Sequence, residues 1–242
     1  MYNKKNYFFS LAVICSLLFT INSCVKKDPE SKITQVLFVP LSPNAIACDF
    51  SIDGTLYATT VNYSTTAGTI RYTFPYYTIE TKAGSVIAYN ATGTNNKFAS
   101  VTKDLQEDKV YSTFLIDSVS KAKAVIVNDD LTEPTPGKVK IRFFHFSPNT
   151  PAVDVVISAT SAKLFTNRAF NDQVANTAYE NFIEVEPGNY TFLFNNVTTG
   201  LTAYTTSVQS LLPDRIYTLA ARGFTGGAGA QALGAWVYPN KP

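Results

Sequence analysis

The chain has 242 residues, of which 45% are hydrophobic, 13% aromatic and 16% charged. That is too apolar for a disordered protein, and one His, one Met and three Cys leave little material for a disulfide scaffold or a His/Cys zinc site. The formal charge of +2 comes from Lys4 and Lys5; beyond residue 23 the 18 cations and 18 acids cancel, which gives no electrostatic footprint for nucleic acid.

Lys4 and Lys5 precede an apolar run from Tyr7 to Ile21. The run is short for a membrane span, which needs about 20 apolar residues, and suits the h-region of a secretory signal over residues 1–23. It ends in Ile21-Asn22-Ser23-Cys24, which resembles the bacterial lipobox. The resemblance implies cleavage before Cys24 and lipid attachment to it, and two or more acyl chains hold a protein stably at a membrane. Residues 24–30 then read as a polar tether. Asp28 and Glu30 resemble a thin version of the surface-export signal of Bacteroidetes lipoproteins; a solvated tether accounts for them equally. The expected location is the outer membrane, through a lipid anchor, with the surface favoured slightly over the periplasmic face.

The remainder contains an internal repeat. Ser42-Pro43-Asn44-Ala45-Ile46-Ala47-Cys48-Asp49 returns as Ser147-Pro148-Asn149-Thr150-Pro151-Ala152-Val153-Asp154, with five of eight positions identical at an offset of 105. Val36, Phe38 and Val39 match Ile141, Phe143 and Phe144 at that offset. The block from Leu105 to Ser112 matches Leu211 to Thr218 at an offset of 106. A period of this size fits tandem domains rather than a solenoid. The predicted domains are residues 31–131 and 138–240, joined by a Pro-rich, extended connection at 132–137.

Both copies read as strands. Val139, Ile141 and Phe143 alternate with Lys140 and Arg142, and Val153, Val155 and Ile157 alternate likewise. Val110 to Ile116, Ala122 to Val127 and Ile216 to Ala220 are continuous apolar or β-branched runs of strand length. Asp53-Gly54, Ala83-Gly84, Pro187-Gly188-Asn189 and Asn195-Asn196 mark turns. About seven short strands per ~100 residues predicts two tandem antiparallel β-sandwiches, immunoglobulin-like in the broad sense.

The segment Val139-Lys140-Ile141-Arg142-Phe143-Phe144-His145-Phe146-Ser147-Pro148-Asn149-Thr150-Pro151-Ala152-Val153-Asp154-Val155 resembles the opening signature of the domain-of-unknown-function 4397 family. Leu164-Phe165, Phe170, Tyr179 and the stretch from Val185 to Tyr190 are similar to its middle section. In the first copy Pro40 replaces His145, Ile46 replaces Pro151 and Cys48 replaces Val153. The resemblance implies secreted or lipid-anchored bacterial β-sandwiches, and it implies no catalytic residues.

His145 has no second His for a metal and no counterpart in the first copy, so it reads as a packed or turn-bonded strand residue. Ser42, Pro43, Asn44 and Asp49, with Ser147, Pro148, Asn149 and Asp154, form a turn motif in which each Asp is expected to bond the free amides of its Ser-Pro-Asn turn. Asp108 and Asp214 read as turn acids. Cys48 reads as a buried small hydrophobe. Gly226-Gly227-Ala228-Gly229 lacks the Lys-Ser/Thr of a phosphate loop and reads as a flexible hairpin loop. Tyr72, Tyr76 and Tyr77, around Pro75, are candidate binding residues, since exposed rings stack on sugars or bury at interfaces; the alternative is that a sandwich this rich in Tyr uses most of them in its core. Asp117-Ser118-Val119 resembles a Bacteroidetes O-glycosylation acceptor at Ser118. No catalytic residue, metal or cofactor is expected. The expected role is a non-enzymatic interaction or structural one, with an envelope protein as partner; the alternative is a glycan-binding accessory of a polysaccharide-uptake system.

Overall fold

The computed structural model describes residues 32–45, 47–63 and 75–241. The signal segment, Cys24, the tether and Tyr72 lie outside them. Within them the chain is all-β. The first half contributes β1 (Ile33–Pro40), β2 (Ala47–Ile52), β3 (Thr55–Asn62), β4 (Tyr76–Glu80), β5 (Ser85–Ala91), β6 (Lys97–Lys103), β7 (Val110–Ile116) and β8 (Lys123–Asn128). The second contributes β9 (Val139–His145), β10 (Val153–Ile157), β11 (Lys163–Arg168), β12 (Ile183–Val185), β13 (Gly188–Tyr190), β14 (Phe192–Asn196), β15 (Thr202–Thr205), β16 (Gln209–Leu211), β17 (Ile216–Arg222) and β18 (Gly234–Lys241). No helix among the described residues is long and apolar enough to cross a membrane.

Each half folds as two four-stranded sheets. In the first they run β3-β2-β5-β6 and β4-β1-β7-β8, in the second β11-β10-β14-β15 and β12-β9-β17-β18, with β13 and β16 as a small extra pair. The pairing departs from a purely antiparallel sandwich at the same place in both halves: β1 runs parallel to β7, and β9 parallel to β17. Two of the predicted turns also shift. Gly188 opens β13, and Asn195-Asn196 closes β14, with the reversal just beyond it. There Asn196 Oδ1 accepts from the Thr198 amide at 2.8 Å, so Asn196 shapes the turn from the strand end.

Alternation along the inner strands separates three cores. Val36 and Phe38 of β1 join Cys48, Phe50, Ile87, Tyr89 and Leu115 inside the first sandwich. Ile141 and Phe143 of β9 join Val153, Val155, Phe194, Leu219 and Val237 inside the second. The intervening residues form the third core, in which Leu37, Val39, Phe114, Ile116 and Val127 meet Phe144, Phe146, Ala220, Trp236 and Tyr238. The two inner sheets therefore lie against each other, and the described residues make one four-layered body. Phe114 packs on Phe146 at a ring separation of 4.9 Å and edge-on to Phe144 at 5.5 Å. This explains why β7 and β17 are buried at nearly every position: strands covered on both faces have no solvent side, so their polar residues Ser112, Thr218 and Arg222 are bonded internally.

One polar cluster interrupts the central layer. Arg142 and Asp129 form an ion pair with both side chains fully buried. The Arg142 Nε donates to Thr218 Oγ1 at 2.9 Å, and one terminal nitrogen donates to the Asn128 carbonyl at 3.1 Å. The guanidinium lies between the rings of Phe144 (4.8 Å) and Phe182 (4.4 Å). Burial works against its charge, but Asp129, Tyr238 and Tyr76 outweigh burial and raise its pKa. Asp129 Oδ2 accepts from Tyr76 Oη at 2.6 Å and Ser112 Oγ at 2.7 Å, while Thr218 Oγ1 donates to Asn240 Oδ1 at 2.6 Å. Both halves thus supply the cluster.

The connector leaving Asp129 is pinned rather than free. The Thr135 amide donates to Glu184 at 2.8 Å, the Gly137 amide to Asp214 at 2.7 Å, and Lys140 Nζ to the Thr132 carbonyl at 2.8 Å.

Removing one partner of a buried ion pair leaves the other charge uncompensated. Asp129→Ala is expected to destabilise the chain by about 3–5 kcal/mol in urea denaturation, and adding Arg142→Met to it should restore most of the loss. Equal stability of the wild type and Asp129→Ala would remove the pair from its structural role.

Candidate functional site

The residues singled out by the repeat occupy equivalent places and do equivalent work. Asp49 and Asp154 do not bond the Ser-Pro-Asn turns. They reach sideways to the neighbouring strand, where the ladder slips by one residue. Asp49 Oδ1 accepts from the Thr60 amide at 2.9 Å, and Oδ2 from the Gly93 amide at 3.0 Å. Asp154 Oδ1 accepts from the Asn167 amide at 2.8 Å, and Oδ2 pairs with Lys163 at 2.6 Å. Thr60 and Asn167 both have left-handed backbone, with φ of 54° and 50°. Each Asp therefore holds a β-bulge in the adjacent strand, whose extra residue leaves an amide without a ladder partner.

The Asn of each turn ties it to the loop after the strand that pairs in parallel with the first strand of its copy, β7 in one and β17 in the other. Asn44 Oδ1 accepts from the Val119 amide at 2.8 Å, and Asn149 Oδ1 from the Thr225 amide at 2.9 Å. Ser42 and Ser147 are fully buried, and Ser147 Oγ donates to the Gly223 carbonyl at 2.7 Å. Tyr111 and Tyr217 each accept an upstream amide on the hydroxyl, from Gln106 and Leu212, both at 3.2 Å. This is the tyrosine corner of immunoglobulin-like sandwiches, present in both halves. Asp108 and Asp214 occupy left-handed turn positions.

His145 is fully buried, with Nε2 3.2 Å from the Pro151 carbonyl, and burial lowers its pKa. Burial pushes the Cys48 thiol up to about 12. The glycine loop is close-packed at Gly223 and Gly227 and open at Gly226 and Gly229. A Cβ on Gly223 would lie 2.1 Å from the Ala232 carbonyl oxygen and one on Gly227 would lie 2.6 Å from that of Gln231, so neither position accepts a side chain.

Tyr76 and Tyr77 are both half-buried. The Tyr76 hydroxyl belongs to the Asp129 cluster, and the Tyr77 ring stacks at a tilt on Phe38 at 5.0 Å and edge-on to Tyr57 at 6.1 Å. Their rings are engaged in the fold and do not assemble into a shared platform. Ser118 follows β7 and is half-buried, with its hydroxyl 3.4 Å from that of Ser120. Among the described residues, no group of three or more His, Cys, Asp or Glu side chains is placed to hold a metal ion.

An open concave surface lies elsewhere, on the first half and its connector, and reaches the second half in one of its three clefts. Three adjoining clefts of about 430, 500 and 640 Å³ share Asn128 at the end of β8. Gln106, Tyr111 and Lys103 line the first-half side, and Thr177, Asn181 and Phe182 the second-half side. Glu180 Oε2 accepts from the Asn128 amide at 3.2 Å and spans the two halves; burial raises its pKa. Gln106, Asn128 and Asn181 are exposed and line these clefts. A separate cleft of about 460 Å³, lined in part by Ser51, Asn90, Thr94 and Asn95, lies on the outer sheet of the first half. Sequence reasoning missed this surface because its second-half side is brought to it by the packing of the halves. The usable signal was a difference between the copies: Arg142 stands where the first copy has Leu37, and Gln106 where the second has Leu212.

The fold is that of an all-β family of sandwich domains. A family model described as domain of unknown function (DUF4397) matches residues 34–156, and the chain belongs to that family. The match runs from β1 through β10, so it covers the first sandwich and the opening signature of the second; the stretch from Leu164 to Tyr190 lies beyond it. No curated protein matches the chain. Among solved structures it is similar to the carbohydrate-binding module CBMbc (family CBM26) from Eubacterium rectale Amy13K, determined in complex with maltoheptaose. That likeness has 11% identity and a TM-score of 0.25, over 87% of this chain and 98% of the other.

The bulge carboxylates give the fold an acid limit. The Gly93 and Thr60 amides hold Asp49 below the usual carboxylate range, and Lys163 and the Asn167 amide do the same for Asp154. A depressed folded-state pKa stabilises fully above the unfolded value of about 3.9 and is lost as pH falls through the folded value. Stability measured in urea between about pH 6 and pH 2 should fall along that limb, and the double variant Asp49→Asn, Asp154→Asn should show a flatter fall. Each Asp→Ala change should cost about 1–3 kcal/mol at neutral pH. An unchanged acid limb in the double variant would remove the two carboxylates from this role.

Proposed function

We propose that the chain is a lipid-anchored cell-envelope protein with a non-enzymatic interaction or structural role, attached at the outer membrane through Cys24. The observation that carries the reading is the union of two family copies, face to face, into a single body. In that body the groups with chemical potential are bonded to the fold itself. Arg142 and Asp129 join the inner sheets, Asp49 and Asp154 hold bulges, and His145 bonds a turn carbonyl. Such an arrangement presents a fixed surface to a partner. The lipid anchor follows from the apolar run and the lipobox-like Ile21-Asn22-Ser23-Cys24.

A second reading, a glycan-binding accessory of a polysaccharide-uptake system, is supported by one feature: the exposed side-chain amides beside the half-buried Phe182 ring in the clefts.

The test of the anchor is fractionation of cells fed an alkyne-tagged fatty acid. The wild-type chain should carry the tag and sediment with outer membranes; Cys24→Ala should lose the tag and leave the membrane fraction. Retention of both by Cys24→Ala would overturn the anchor. Protease treatment of intact cells, with a periplasmic protein as control, then decides the face.

A further inference from the structure

We infer that the three clefts around Asn128 form one groove that binds a neutral, hydroxyl-rich glycan segment, an inference that rests on the glycan-binding reading and assigns its site. Contiguity is the first support. All three clefts share Asn128, and pairs of them share Gln106 or Asp130, so a chain-like ligand can run from one to the next. Hydrogen-bonding capacity is the second. A sugar hydroxyl both donates and accepts, and neighbouring hydroxyls on a ring need a partner that does the same over adjacent atoms. A side-chain amide offers a carbonyl oxygen and an NH₂ in one plane. Gln106, Asn128 and Asn181 bring three such groups to the groove.

The third support is a fixed apolar surface. Phe182 is half-buried, lines the groove and is held by the Arg142 guanidinium 4.4 Å from its centre. A ring held in this way presents its carbon surface to the C–H face of a sugar without first being ordered. The walls are fixed too. The backbone amide of Asn128, in the first half, bonds Glu180 of the second at 3.2 Å, and Arg142 donates to the Asn128 carbonyl at 3.1 Å, so the two halves meet beside the groove through a buried cation.

Charge selects among ligands. Asp104, Asp108, Asp130 and Glu180 outnumber Lys103 and Lys109 along the groove. The acidic excess disfavours uronate-rich glycans and nucleic acids. A polycationic peptide is the ligand that this excess favours on charge alone, so the titration includes oligolysine as the competing class; a neutral polyhydroxyl chain meets no charge penalty.

The experiment is calorimetric titration of the full chain in detergent with neutral hexose and N-acetylhexosamine oligosaccharides, alongside a uronate oligosaccharide and oligolysine. The expected result is binding of a neutral oligosaccharide, weakened about tenfold or more by Asn128→Ala with Asn181→Ala. Asn90→Ala with Asn95→Ala, in the separate outer-sheet cleft, should leave it unchanged. Both variants should unfold at the wild-type temperature; Asn181→Ala alone, in an exposed loop, is the second probe should the pair be less stable. Neutral glycan bound but weakened only by the Asn90 and Asn95 changes would overturn the groove and leave the glycan-binding reading standing. Preference for the uronate or for oligolysine would overturn the ligand class. No binding of any oligosaccharide would remove the glycan-binding reading with it.

Discussion

A sheet that is apolar on both faces must be covered twice. The inner strands β1, β7, β9 and β17 carry hydrophobic side chains toward their own sandwich and, one residue out of phase, toward the other half. A fully buried Val, Leu, Ile or Phe is worth about 1.5–3 kcal/mol relative to exposure. Neither half could leave its second face to water without exposing Phe114, Phe144, Phe146 and Trp236 together. The four-layered body follows from that constraint. The Arg142–Asp129 pair, with the buried bond from Arg222 to Tyr63, adds direction to a largely apolar contact, because these partners are satisfied in one relative placement of the halves.

The repeat exposes a division of labour. Elements that build each sandwich recur in both copies at nearly constant offset: the bulge carboxylates, the turn asparagines and the tyrosine corners. Elements that join the sandwiches do not recur. Leu37 faces the interface in one copy and Arg142 in the other, and the position that Phe114 holds in the first copy is the much smaller Ala220 in the second.

Much of this was legible in the sequence, for identifiable reasons. Strand content, the repeat and the family signature are local or periodic properties, and they specified an all-β chain with two related halves. The burial of His145 and Cys48 followed from the lack of chemical partners nearby. The rest depended on what folds against what. Asp49 and Asp154 were recognisable as structural residues, but their partners lie across a strand slip that spacing does not reveal. Tyr76 looked like a surface ring until the packing of the inner sheets drew its hydroxyl to Asp129. Asn128, Asn181 and Phe182 have no motif of their own and gain a shared surface only where the halves meet.

The parallel pairings have a consequence for how the chain acquires its structure. The bond from Thr34 to Lys109 closes a loop of 75 residues, and that from Arg142 to Thr218 one of 76. Hairpins such as β2–β3 need only their immediate neighbours, so they can form early. The inner sheets cannot close until almost the whole of each half is present to meet its own first strand. Their formation carries the entropy of long loop closure before any contact rewards it, which makes folding slow for the chain's size. Until then the doubly apolar strands stand uncovered, so the most cohesive layer of the finished protein is also the most adhesive surface of its unfinished form.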